Sequence, residues 1–297
     1  MKRVLLTGAS GFIGSYAVAA LAERGFDVHA VGRTAPDDGR VTFHRADLLD
    51  RREVRDVTRR LAATHLLHFA WHVEPGRFWD APDNLDWAGA TLLLLRAFAE
   101  AGGRRAVLAG SCAEYEWGGE RLVEGVTPGA PATLYGVAKN ATRQIAEAYV
   151  ATAGLSLAWG RIFFLYGPGE KPGRLVSAAI AALRSGQAFP TTEGRQRRDF
   201  LHVADVAGGF AALLDSDVRG AVNIASGTAV PVRSILEEIA QLIGGAALLR
   251  FGSKPSMQGD PPIIEASARR LADEVGYSPR FDLASGLRDT VANSRTG

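Results

Sequence analysis

The chain is poor in cysteine, in lysine and in long apolar runs. One residue of 297, Cys112, is a cysteine, which excludes an internal disulfide framework and suits a reducing compartment. A surplus of one charge is also missing. The net charge is +2, so no electrostatic argument points to nucleic acid or to a membrane surface. The most apolar stretches, 92–95 and 162–165, fall far short of a membrane span. The N-terminus runs into a strand pattern without the basic and apolar regions of a signal peptide. No repeat, low-complexity tract or metal-ligand spacing of His, Cys and acidic residues is visible. The expectation is a cytoplasmic protein with a small-molecule ligand and neither a nucleic-acid nor a membrane partner. Hydrophobic residues make up 47% of the chain, an ordinary value for a globule that buries one large core, or a core and a lobe.

What is present starts at the beginning, in Arg3-Val-Leu-Leu-Thr-Gly-Ala-Ser-Gly-Phe-Ile-Gly14. An apolar strand runs into glycines at 8, 11 and 14, and a helical pattern follows at once. Gly8 permits a sharp turn, Gly11 leaves room for a diphosphate against the backbone, and Gly14 lets the helix pack close to the strand. The first amides of that helix lack internal partners and attract anions. Glycines also punctuate ordinary turns. The strand before and the helix after are what make a dinucleotide site the better reading.

Strand patterns near 3–7, 27–31, 41–45, 65–70, 106–110 and 156–163 alternate with helices near 12–24, 50–62, 86–101 and 134–153. This alternation predicts βαβ units and a doubly wound parallel sheet, with its ligand crevice at the carboxyl ends of the strands. Beyond Tyr166-Gly167-Pro168-Gly169 the pattern loosens. It gives helices near 173–185, 203–215 and 231–243, a loop rich in Gly and Arg, and a Pro-containing end around a helix near 267–275.

Tyr135 and Lys139 lie four apart at the start of a helix, which puts phenol and ammonium on one face, one turn apart. A nearby cation lowers a phenol's pKa and makes it a usable acid or base. With six tyrosines and four lysines in the chain, chance produces such a pair about one time in twelve, a real false-positive risk for a short motif. A second element reduces that risk. Strand 106–110 ends at Ser111, where a hydroxyl can donate to a carbonyl or alkoxide oxygen.

The ordered set of Thr7-Gly8 to Gly14, Asp47-Leu48, Ser111, Tyr135-x-x-x-Lys139, Tyr166-Gly167-Pro168 and Arg198-Asp199-Phe200-Leu201-His202-Val203 resembles the extended short-chain dehydrogenases/reductases. These include nucleotide-sugar epimerases, dehydratases and reductases. The resemblance covers nearly the whole chain. It implies a Rossmann domain over 1–167, with part of 198–225 returning to it, and a smaller, discontinuous α/β substrate lobe over 168–297. It implies Tyr135 as acid/base, Lys139 as its partner and nicotinamide-ribose ligand, and Ser111 as carbonyl positioner. Gly8, Ser10, Gly11, Phe12, Ile13, Gly14, Arg33, Asp47, Leu48 and Ala70 are then the further cofactor contacts, and His72, Cys112 and Arg198 the substrate contacts. Apolar faces on 86–101 and 137–150 either cover the sheet or pair two copies, and the expectation is a homodimer.

The second strand ends Val31-Gly32-Arg33, without the acid that usually holds the adenosine ribose in NAD sites. Arg33 can pair with a 2′-phosphate, so the expected cofactor is NADP, with NAD possible. Dehydratases in the family follow the catalytic serine or threonine with Asp-Glu. Here Cys112-Ala113 follow and Glu114 comes one position late, which disfavours elimination. Phe164 stands where nucleotide-sugar enzymes often have asparagine, and Met257-Gln258 precede Gly259-Asp260 where they often have arginine. Either the diphosphate is held differently, with Lys254 for example, or the substrate lacks one. Arg195, Arg197 and Arg198 face that diphosphate or are solvated loop charge. The aromatic loop from Trp71 to Trp79 should overhang the nicotinamide. His72 within it is a candidate second acid/base group. The leading expectation is NADPH-dependent reduction of a nucleotide-linked keto-sugar. The alternatives are a cofactor-retaining sugar epimerase and a non-catalytic dinucleotide sensor.

Overall fold

A computed structural model describes residues 2–118, 121–256 and 259–294. The seven-stranded sheet is built from β1 (Lys2–Thr7), β2 (Phe26–Gly32), β3 (Thr42–Arg45), β4 (His65–His68), β5 (Arg105–Ser111), β6 (Ser156–Ile162) and β10 (Gly220–Ile224), in the spatial order β10-β6-β5-β4-β1-β2-β3. Every pairing in it is parallel. The order reverses between β1 and β4, where Thr7 pairs with His68, so connections leave in opposite directions and open a crevice there.

The helices α1 (Phe12–Glu23), α2 (Arg51–Leu61), α3 (Asp83–Glu100), α4 (Leu134–Ala153) and α6 (Val203–Asp215) cover both faces. Side chains alternate along β1, so Val4 and Leu6 enter one core with Leu21 and Phe210, while Leu5 enters the other with Val54, Leu94 and Trp159. Burial on both faces explains why β1 reads as a continuous apolar run. The first helices match the sequence pattern, with small shifts at their ends. Asp50 caps α2 by accepting from the Arg52 and Glu53 amides at 2.7 and 3.1 Å.

Part of 198–225 was expected to return to the first domain, and there α6 packs on α1 and β10 pairs with β6. The rest of the later chain departs more from the sequence reading. The Gly/Arg-rich loop yields a strand, β9 (Arg197–His202), which pairs with β7 (Phe164–Tyr166), β11 (Ala229–Pro231) and β13 (Ile263–Ile264). The short strands β8 (Phe189–Pro190) and β12 (Leu249–Arg250) pair separately. Helices α5 (Leu175–Arg184), α7 (Val232–Ile243) and α8 (Leu283–Asn293) bury Ile180, Ile235, Ile239 and Leu287 in a third core. Two expectations need correcting. The segment near 267–275 holds only a π-helical turn over Arg270–Glu274, and the final helix is α8. Its signals were in the sequence: Asp282 accepts from the Ser285 amide at 2.7 Å, and Leu283, Leu287 and Val291 recur every four residues. Among the described residues no helix is long and apolar enough to cross a membrane, and no cluster has the make-up of a metal site.

Candidate active site

The crevice begins where β1 ends. Gly8 adopts φ +72°, and a Cβ there would lie 2.9 Å from the Ala70 amide nitrogen. Gly14, one turn into α1, faces the Gly8 carbonyl so closely that a Cβ would sit 2.0 Å from its oxygen. The glycines therefore bring the helix start, the β1 turn and the end of β4 together, as no residue with a Cβ allows. Gly11 caps α1 without a side-chain acceptor, which leaves the first amides free for an anion. Gly8, Ser10, Arg33, Asp47, Leu48 and Ala70 line one open cleft with Val31, Phe43 and Trp87. Gly11, Phe12, Ile13 and Gly14 supply backbone instead: the Phe12 ring lies edge-on to Tyr16. A dinucleotide fits this cradle. Turn amides and the helix start suit its diphosphate, and the Val31–Thr34 edge with Asp47 and Leu48 suits its adenosine.

Ser111 closes β5, and Tyr135 and Lys139 lie in the first turns of α4. Thr133 caps α4 by accepting from the Gly136 amide at 3.2 Å. Gly136 lets this helix start lie against the Ser111 turn, since a Cβ there would meet the Ala113 oxygen at 2.3 Å. Tyr135 is 8% exposed and Lys139 4%. Burial pushes the Tyr135 phenol well above its ordinary range, and the Ser111 side chain opposes this. Burial also pulls the Lys139 ammonium down to about 7, against the opposing charge of Glu114.

Here the structure corrects the spacing argument, because Lys139 is not among the groups that lower the Tyr135 pKa. The Lys139 ammonium donates to the Ala109 oxygen at 2.8 Å and lies 3.7 Å from the centre of the Trp71 ring. The groups that oppose burial at Tyr135 in this structure are Ser111 and, more weakly, Arg174. Arg174 comes from the second lobe at the start of α5, and its guanidinium stacks 5.5 Å over Phe78. Sequence reasoning missed it, because nothing local marks an arginine that acts across two lobes.

Two buried groups hold the frame. The Glu114 carboxylate accepts from the Ser111 amide, the Trp159 indole and the Arg161 guanidinium, each at 2.8 Å. It is 0% exposed, and with these partners it faces away from any proton transfer at a substrate. His68 joins Thr7 at 2.7 Å to Thr91 at 2.9 Å, and the Thr7 hydroxyl also accepts from the Ala70 amide at 3.3 Å. Burial, with Lys139 adding to it, drives His68 down to about 3 and keeps the ring neutral. The hydrogen bonds of neutral His68 thus tie the ends of β1 and β4 together beneath the cradle.

The aromatic loop covers the catalytic pair. Phe78, Trp79 and Trp71 surround Tyr135 edge-on, at centroid distances of 4.9, 5.9 and 6.4 Å, and the Tyr135 amide donates to the Trp79 oxygen at 2.9 Å. His72 lies outside this roof, 3.9 Å from Asp83. Cys112 is buried among Tyr115, Phe163 and Ala225, and burial pushes its thiol up to about 12. Arg198 is buried under Phe164, its guanidinium donating to Asp260 at 2.5 Å and to the Pro261 oxygen at 2.9 Å. Arg195 lines a separate surface hollow with Glu193 and Asp260. None of the substrate contacts expected at His72, Cys112 and Arg198 lines the open cleft of Gly8, Arg33 and Asp47, and each has its own separate surroundings. Met257 and Gln258 lie outside the described residues.

Comparison with known proteins agrees with this geometry. The sequence model of the NAD dependent epimerase/dehydratase family matches residues 4–225. UDP-glucose 4-epimerase of Corynebacterium glutamicum is 26% identical over 98% of this chain and 95% of its own. The structure of Thermus thermophilus UDP-glucose 4-epimerase with NAD superposes with a TM-score of 0.87 at 27% identity, covering 98% of both chains. MoeE5, solved with UDP-glucuronic acid and NAD, superposes at 0.84 with 31% identity over 98% of both chains. The chain belongs to the NAD dependent epimerase/dehydratase family, the nucleotide-sugar enzymes of the extended short-chain dehydrogenase/reductase type.

Proposed function

We propose that this enzyme epimerises a nucleotide-linked sugar by oxidising and re-reducing one carbon, keeping its dinucleotide bound. The observation that carries this reading is the site of Ser111 with the buried Tyr135 and Lys139, roofed by aromatic rings and served by one proton-transferring side chain. Elimination calls for a further acid, and Glu114 is committed to Arg161 and Trp159. Inversion by deprotonation at carbon calls for a second base, and His72 stands outside the roof beside Asp83. Oxidation followed by reduction needs neither, because the same phenol takes a proton and returns it.

When bound, the dinucleotide supplies the hydride acceptor and donor. Tyr135 takes the proton of the sugar hydroxyl and later gives it back. The Ser111 hydroxyl donates to the same sugar oxygen, and the Lys139 ammonium would hold the nicotinamide ribose. Trp71, Phe78 and Trp79 keep water from the oxidised sugar. The residues proposed at the cofactor are those of the cleft, with the first-turn backbone of α1. Two of the relatives reported above are UDP-glucose 4-epimerases and the third was solved with UDP-glucuronic acid, which supports epimerisation of such a sugar over the reductive role expected from the sequence.

One observation favours a 2′-phosphorylated cofactor. Arg33 lines the adenosine end of the cleft beside Gly32 and Thr34, whereas the two structural neighbours above were solved with NAD. Leu85, Val137 and Ile145 remain exposed on α3 and α4, a face suited to a homodimer. The test is to incubate the purified protein with a panel of UDP-sugars and analyse the products. An epimer formed without net consumption of NADPH supports the reading. Stoichiometric NADPH oxidation with a reduced sugar refutes it in favour of a reductase. Thermal shifts with NADP and NAD rank the cofactors, since a ligand that binds only the folded state raises the midpoint with its affinity.

A further inference from the structure

Trp71 is the first residue of the aromatic roof, and its orientation is fixed from two directions. Its indole N–H donates to the Asn84 side-chain oxygen at 2.9 Å. Asn84 is fully buried and donates in turn to the Phe78 and Ala81 oxygens at 2.7 and 2.9 Å. One amide therefore closes the loop on itself and sets the plane of the indole. At its far end the loop is joined to α4 through the Tyr135 amide and the Trp79 oxygen.

The face presented by that fixed ring meets the Lys139 ammonium 3.7 Å from its centroid. The Ala109 carbonyl meets the same ammonium at 2.8 Å. A buried ammonium needs groups that favour its charge. The ring's negative face and a carbonyl oxygen both do so. The other titratable groups acting here are Glu114, after β5, which favours the charge, and His68 of β4, which is held neutral; Tyr135 lies one turn back on α4 itself. A roof built only for packing needs an apolar side chain at this position. It needs neither a π-face turned to the cation nor a buried asparagine to hold the indole.

We infer that Trp71, oriented by Asn84, is a positioning residue that holds the Lys139 ammonium charged and aimed at the site beside Tyr135. The inference rests on the Tyr135–Lys139 chemistry proposed above. Trp71 acts through Lys139 and takes no part in proton transfer.

The scarcity of lysine makes the contact directly readable. The chain has four, Lys2, Lys139, Lys171 and Lys254, so lysine-labelled protein gives four ε-methylene signals, and Lys139→Arg identifies one by its loss. In the wild-type enzyme that signal is expected far upfield of the other three, because it lies over the indole. Trp71→Leu should return it to the ordinary position, and Trp71→Phe should keep part of the displacement. The activity readout runs in parallel. An enzyme that needs charged Lys139 loses turnover as pH rises through the pKa of that ammonium. Leucine at 71 removes the π-face, lowers that pKa and moves the falling limb down by about one pH unit, while phenylalanine largely preserves it.

Four unshifted lysine signals in the wild-type protein overturn the inference without any mutant needing to fold. So does a limb that leucine and phenylalanine move equally, or a Trp71→Leu enzyme faster than wild type. An upfield Lys139 signal that Trp71→Leu abolishes supports the contact whichever sugar is turned over. Failure to convert any UDP-sugar counts against the function proposed above and leaves the lysine signal as an independent reading.

Discussion

Replacing Glu114 by glutamine tests whether the site's frame depends on one buried charge. The carboxylate is 0% exposed and the Arg161 side chain 5%, and Arg143 stands 3.8 Å away on α4 with 18% exposure. Glutamine keeps an oxygen for the Ser111 amide and the Trp159 indole, but turns an NH2 toward Arg161 or removes its charge-bearing partner. Removing one member of a buried pair costs about 3–5 kcal/mol, mostly because the other charge is left uncompensated. Native domains are stable by only about 5–15 kcal/mol. For a chain of this size that loss lowers the melting temperature by about 5–8 °C. Urea unfolding at pH 7, followed by tryptophan fluorescence, measures it. The double variant Glu114→Gln with Arg161→Met leaves less charge stranded and should recover more than half of the loss. Turnover should fall no further than stability explains, because glutamine keeps an oxygen for the Ser111 amide. A loss under about 1 kcal/mol, or strict additivity of the two substitutions, refutes the argument, since coupled neighbours do not add.

Three further outcomes follow from the site. Tyr135→Phe should lower turnover by about 10²–10⁴-fold, the usual contribution of a positioned acid or base, with dinucleotide thermal shifts retained; an active variant removes Tyr135 from the mechanism. Lys139→Met should abolish turnover yet raise stability. The folded pKa of about 7 lies below the ordinary 10.5, so the unfolded chain binds the extra proton between those values. The penalty is full at pH 7 and below, of order 3–5 kcal/mol, and vanishes as pH rises to about 10. The gain in melting temperature should shrink across that window, and a gain that grows with pH contradicts the sign. Gly14→Ala forces a Cβ to 2.0 Å from the Gly8 oxygen, so the helix start must move. We expect a loss of about 1–3 kcal/mol together with the dinucleotide thermal shift, and a variant that binds normally would show that the close approach is not needed.

Much of the first domain was legible because its signals are local. Strands buried on both faces read as apolar runs, helices between them repeat at their own period, and Gly8 and Gly14 mark contacts only glycine allows. The second lobe was harder to read. The strand β9 carries Arg197 and Arg198 within a polar stretch, and only pairing with β7, β11 and β13 makes it a strand. The helix α8 follows a proline-containing stretch that masks it, although Asp282 and the leucines after it announce it. The sequence left Arg198 between a diphosphate contact and solvated loop charge, and the fold ties it to Asp260 and Pro261.

By itself the sequence determined the glycine cradle, the Tyr135–Lys139 spacing and the absence of an acid at Gly32-Arg33, because each depends on residues within one turn or one loop. The tertiary structure alone decided what surrounds them. It set Trp71 on the Lys139 ammonium, Glu114 on Arg161, and Arg174 near Tyr135 from the other lobe. Those contacts join residues tens of positions apart, and their energies come from burial, which no local pattern carries.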